Sequence, residues 1–132
     1  LARRTIETSV TIAGQTERVS EHYVITYIEP FGRNAAAHGL DLASEPNRRT
    51  AANRARETGL PALTGKISLV QDSRQRPGFL LFLPLYKKSR FIGWIHAPFI
   101  AEEFFKEPLK PASNEIEVTI HDGELSDPET FL

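Results

Sequence analysis

The sequence predicts an α+β domain built on one antiparallel sheet with flanking helices. Three observations lead there. Residues 48–58 are good helix formers, preceded by a cap and followed by a glycine stop, with alanines at 51, 52 and 55. Two apolar segments, 78–86 and 91–97, are joined by a short basic loop. Further on, residues 115–121 alternate apolar and polar side chains. The order of a strand, then helices, then several antiparallel strands suggests an α+β domain with one antiparallel sheet.

Residues 1–21 are polar, with Ile6, Val10 and Ile12 as a weak apolar pattern, and a strand or loop is expected to begin near Thr8. Residues 22–28 (HYVITYI) are rich in β-branched and aromatic side chains and read as a strand stopped by Glu29-Pro30. A short helix is expected around 33–37. The main helix has Ser44 as its expected N-cap, Pro46 in its first turn, Gly59 at C′ and Pro61 beyond. Its alanine stripe predicts close packing on the sheet. Residues 66–71 read as a short strand. The 78–86 strand is apolar on both faces and is expected to be buried on both. Pro98 is expected to end the 91–97 strand. Residues 100–106 read as a helix, with Ile100, Phe104 and Phe105 at helical spacing. In 115–121, Ile116, Val118 and Ile120 would face inward.

The chain has 132 residues, enough for one domain with a real core, and is read as a single domain with its core at about 22–121. Sixteen basic and 17 acidic residues give a net charge of -1, so no field draws it to nucleic acid or an anionic membrane. It contains no cysteine, which excludes thiol catalysis, disulfides and cysteine-ligated metal. The longest apolar run, 79–86, is far below the roughly 20 residues of a spanning helix. The opening Leu-Ala-Arg-Arg, without methionine, reads as a fragment of a longer protein.

Motifs for chemistry are missing. His22, His38, His96 and His121 lack metal-ligand spacing, so no metal and no cofactor is expected. No nucleophile elbow, P-loop or dinucleotide fingerprint occurs. Glu102 and Glu103 are adjacent and diverge on a helix, which suits acid–base work poorly. The fragment is therefore not read as an enzyme. Arg48, Arg49, Arg54 and Arg56 form the densest charge cluster, either a solvated helix face or an anion contact near the helix start.

Several blocks, in order, resemble the CHASE family. They are Tyr27-Ile28-Glu29-Pro30, then Asn34 to Ser44 (NAAAHGLDLAS), Arg48-Arg49, and Ala55-Arg56-Glu57-Thr58-Gly59. Ala62-Leu63-Thr64-Gly65, Leu69-Val70-Gln71, the GFLLFLPLY stretch from Gly78 to Tyr86 and the Gly93 strand complete the pattern. It spans about 22–105. The resemblance implies a PAS-like sensory domain lying outside the cell membrane, the periplasmic or extracellular part of a membrane-anchored receptor. The parent's output would be a histidine kinase or a diguanylate or adenylyl cyclase. It implies a small-molecule ligand, a homodimeric parent and no nucleic acid. Carried over residue by residue from plant cytokinin receptors, the pocket falls at Arg48, Thr64, Val70 and Phe82, with Tyr27 on the adjoining strand and Gly93 at a close approach. Thr64 looks like the pocket threonine of those receptors, and Val70 keeps apolar character. Arg48 stands where they hold adenine with an aspartate, and Phe82 where they have a second threonine. An arginine cannot accept a hydrogen bond from an adenine N–H, so this chain better suits a carboxylate or phosphate than a cytokinin. Residue by residue, plainer roles stay open. Thr64 could cap a turn, Phe82 and Tyr27 could be core, and Gly93 could mark a bulge. The alternative reading is an interaction or dimerisation module whose sheet interior is filled by Phe79, Phe82, Trp94 and Phe99.

Overall fold

The computed structural model describes residues 8–12, 15–19, 21–110 and 118–123. The α+β architecture is as expected. Strand β1 (Thr8–Ile12) pairs antiparallel with β2 (Gln15–Val19) in a separate hairpin. Helix α1 (Phe31–Asn34) runs into a 3-10 turn at Ala35–Ala37, and a second 3-10 turn covers Leu42–Ser44. Helix α2 (Pro46–Thr58) follows. The main sheet contains β3 (Ala62–Leu63), β4 (Ile67–Ser68), β5 (Pro77–Lys87) and β6 (Arg90–Ile100), all antiparallel to β5. Strand β5 is central, with β3 and β4 along one side and β6 along the other. Helix α3 (Ala101–Leu109) closes the described elements.

Residues 22–28 are not a strand. Only Val24 makes a bridge, to Asp41. The Ile25 N–H donates to the Leu40 carbonyl and the Leu42 N–H to Tyr23, so the β-prone sequence finds a partner over 23–25 alone. Beyond it the chain leaves in an excursion that returns at Gly39, whose φ of 81° suits glycine. Asp41 fastens the base of this excursion. Its carboxylate accepts from the His22 ring at 2.6 Å, from the Tyr23 N–H at 2.9 Å and from the Ala43 N–H at 3.0 Å. Burial raises the Asp41 pKa, but these hydrogen bonds favour the anion more and hold it below the usual aspartate value.

The N-cap of α2 is Glu45, not Ser44. The Glu45 carboxylate accepts from the Asn47 and Arg48 N–H groups at 3.0 and 2.9 Å, while the Ser44 hydroxyl donates back to the Asp41 carbonyl. Gly59 ends the helix at φ 70°, its N–H donating to the Ala55 carbonyl. Ala51, Ala52 and Ala55 are buried, as their stripe predicts. Such small side chains bring α2 close enough for the sheet to latch its carbonyls. The Trp94 indole donates to Ala52 at 2.8 Å and the Tyr86 hydroxyl to Arg56 at 2.7 Å.

Strand β5 is not buried on both faces. Gly78, Leu80, Phe82 and Pro84 are buried, while Leu83 on the other face is 42% exposed and Leu81 and Leu85 are half-buried. The reason is coverage. Helix α2 lies on the even face, and α3 covers only one end of the odd face, where Phe79, Phe99 and Phe104 meet with centroids 5.2–5.4 Å apart. The four aromatics expected in one interior are thus split, with Phe79 and Phe99 opposite Phe82 and Trp94.

Pro98 does not end β6, which continues to Ile100. Leu80, its partner, exchanges its own backbone bonds with Thr64 on the β3 side, so the Pro98 nitrogen points away from β5 and no ladder bond is lost. The 66–71 strand shrinks to Ile67–Ser68 because a turn begins at Leu69, whose carbonyl accepts from Asp72. Residues 115–117 of the expected late strand lie outside the described residues. Among 118–121 only a bridge at His121 forms, and Val118 is exposed. Val118 and Ile120 instead line a groove of about 540 Å³ beside α3, with Pro77, Phe105 and Leu109.

Candidate functional site

The layer between α2 and the even face of the sheet gathers three of the six sequence-predicted residues. Arg48 comes from the first turn of α2, which crosses the β3–β4 edge. Along that edge the Arg54 guanidinium donates to the Leu63 carbonyl, the Asn47 amide to Lys66 and the Arg48 guanidinium to Ser68 at 2.8 Å. This register buries Arg48, at 7% exposure, while Arg54 and Arg56 stay at the surface. The arginine cluster is therefore divided. The helix start itself is no free anion site, because Glu45 already occupies its N–H groups.

Thr64 is buried and acts as an extra rung of the sheet. Its N–H donates to the Leu80 carbonyl at 2.9 Å, and its hydroxyl oxygen accepts from the Leu80 N–H at 2.9 Å. Phe82, wholly buried, pairs across the ladder with His96, ring centroids 5.8 Å apart. The other three residues lie elsewhere. Tyr27 is 80% exposed on the excursion, and Val70 is exposed in the turn after β4. Gly93 sits at the β5–β6 irregularity opposite Leu85, on the odd face, away from α2. A side chain there would meet nothing within 4 Å, so its φ of 145°, rather than a close approach, calls for glycine.

Two buried nitrogens in this layer have no hydrogen-bond partner, Arg48 Nε and His96 Nδ1. Arg48 Nε lies 3.8 Å from Glu45 Oε2, an electrostatic contact beyond hydrogen-bond range. Burial depresses the Arg48 pKa and the Glu45 carboxylate opposes that, yet a guanidinium stays charged at neutral pH. Burial, and then the Arg48 charge, push the His96 pKa down, so its ring is neutral at pH 7. An unpaired buried polar atom costs about 1–3 kcal/mol, which makes such a pair in one layer a feature needing a cause. His96 was not among the predicted site residues. Its alternation with Trp94 on β6 was the available signal, but only the hairpin register places it over Phe82.

A sequence profile of the CHASE domain matches residues 2–132. The chain belongs to the CHASE family. Among curated proteins, none matches it. CHASE domains are extracytoplasmic sensory domains of signalling receptors, not catalysts. Among the described residues, no group of His, Asp and Glu converges as metal ligands, and no helix is long and apolar enough to cross a membrane. The α2 layer holds one fixed cation, one neutral imidazole and an aromatic group of Phe82, Trp94 and Tyr23.

Proposed function

We propose that this CHASE domain is the extracytoplasmic, periplasmic ligand-sensing part of a membrane-anchored receptor of the histidine kinase or diguanylate cyclase type, working as a homodimer. In this reading it binds a small anionic molecule between α2 and the sheet. The observation that carries the reading is Arg48, buried yet holding an unpartnered Nε beside the aromatic wall. Glu45 lies 3.8 Å away and offsets the Arg48 charge, but it leaves the Nε–H without an acceptor, and an anionic oxygen would fill that place. Arg48 sets the ligand's charge, Phe82 its apolar contact, and Thr64 holds the strand edge on which the site rests. A ligand that pulls on Arg48 moves the start of α2 relative to β4, and this shift would bias the two states of the receptor.

Thermal shift against small carboxylic and phosphate-bearing metabolites tests this. Stabilisation that disappears in Arg48→Gln supports it. No stabilisation by any anion at high concentration refutes it.

A second reading, an interaction or dimerisation module, has its own observation. The odd face of the sheet leaves Leu63, Leu83 and Ile95 exposed. Analytical ultracentrifugation of the native chain and of Leu83→Asp, read beside the anion screen, separates the readings. A dimer abolished by that change, with no anion stabilising the native chain, favours the module.

A further inference from the structure

His96 stands in the same layer as Arg48 but has no role in the reading above. It projects from β6 on the α2 side, beside Trp94 and across from Phe82. One terminal nitrogen of Arg48, Nη2, donates to the Ser68 carbonyl, and the Thr64 oxygen accepts from Leu80. The buried nitrogens of this layer without a partner are Arg48 Nε, a donor, and His96 Nδ1, which donates only if the proton is there. A planar carboxylate has two oxygens for two such nitrogens. A phosphate would bring more oxygens and charge than they satisfy.

We infer that His96 is the second recognition group of this site, and that it binds a monocarboxylate with an apolar body by taking up one proton. The inference rests on the proposed ligand-sensing reading. The groups around His96 set the direction of the coupling. From α2 comes Arg48, with Glu45 held at its side by two backbone N–H groups. From β5 comes Phe82, which carries no charge, and along β6 the neighbour on that face is Trp94. In the unliganded domain a second cation beside Arg48 is disfavoured, and His96 stays neutral. A bound carboxylate reverses the balance, because its charge faces both nitrogens and rewards protonation of the ring. Binding and protonation then strengthen each other.

The test uses benzoate, with acetate as the smaller probe, titrated calorimetrically at pH 5.5, 6.5 and 7.5. Benzoate is expected to bind more tightly as pH falls, approaching tenfold per pH unit for a single coupled proton. His96→Asn is expected to bind with an affinity that no longer depends on pH over this range. The His96 ring protons, followed by NMR in the native chain, should titrate at higher pH with benzoate bound than without, which supplies the result even if the variant folds poorly. Equal pH slopes in native and His96→Asn, with no movement of the His96 titration, overturn the inference. If benzoate binding is nonetheless lost in Arg48→Gln, the ligand-sensing reading survives. No binding of either probe at any pH overturns the inference, and the anion screen then decides the reading by itself.

Discussion

Replacing Thr64 by valine isolates one hydrogen bond. Thr64 meets Leu80 twice, through its backbone N–H and through its hydroxyl oxygen, each at 2.9 Å. Valine has the same shape, so no cavity is opened and packing stays constant. What changes is the Leu80 N–H, which is buried and loses its acceptor. An orphaned buried donor costs about 1–3 kcal/mol, so Thr64→Val should destabilise the domain by about 2 kcal/mol. For a chain of this size that is roughly 6–8 °C in Tm. Urea unfolding followed by Trp94 fluorescence reads it, since Trp94 is the one tryptophan and packs against Tyr23 and Phe91 at 4.6 Å. The urea midpoint should fall with no change in m-value. Thr64→Ser keeps the oxygen and should retain most of the stability. If Thr64→Val unfolds within about 0.5 kcal/mol of the native chain, the side-chain rung adds no stability and the account given of Thr64 is wrong.

Three further predictions use other features. Glu45→Ala removes the α2 cap, and should cost about 1 kcal/mol while speeding hydrogen exchange at Asn47 and Arg48. The Asp41 pKa is lower folded than unfolded, so its contribution is complete above the usual value of about 3.9 and is lost as pH falls through the folded value. Asp41→Asn should be less stable at pH 7, and chemical unfolding from pH 6 to 2.5 should show a flatter acid limb. Gly78→Ala places a Cβ 2.6 Å from the Phe99 carbonyl oxygen and should cost about 1–3 kcal/mol, whereas Gly32→Ala, with open space around it, should unfold like the native chain.

The elements written in adjacent residues were readable from sequence. Helix α2 carries its proline start, alanine stripe and glycine end within 14 positions, and the β5–β6 hairpin carries its basic turn between two apolar runs. Where pairing depends on distant residues, sequence misleads. Residues 22–28 have strand composition, but only 23–25 meet a partner, 39–42. Strand β3 is Ala62–Leu63, too short to leave a periodicity. Ser44 looks the better cap, yet its hydroxyl turns back to Asp41 and leaves Glu45 to do the capping. Of the six site candidates, Arg48, Thr64 and Phe82 fall in one layer. Tyr27, Val70 and Gly93 lie outside it, the first on the excursion, the second in the turn after β4 and the third on the odd face of β6, placements that depend on distant pairing. The burial of Arg48 was invisible, since arginine is ordinarily a surface residue and only the crossing of α2 over β4 encloses it.

Asp41 has an effect beyond its own neighbourhood. Residues 26–38 form a closed lobe, pinned at its neck by the pairing of Ile25 with Gly39 and Leu40 and by the three bonds to the Asp41 carboxylate. Ala37 and Ile28 still pack into the core with the α2 alanines, so it is the chain between them, 29–36, that can grow, shrink or change composition without disturbing the α2 layer. The exposed Phe31 ring therefore rides on a part free to diverge at its own pace. Relatives with the same α2 layer could wear quite different lobes, and a graft exchanged at Ile25 and Gly39 that keeps Ile28 and Ala37 should transplant one without rebuilding the other.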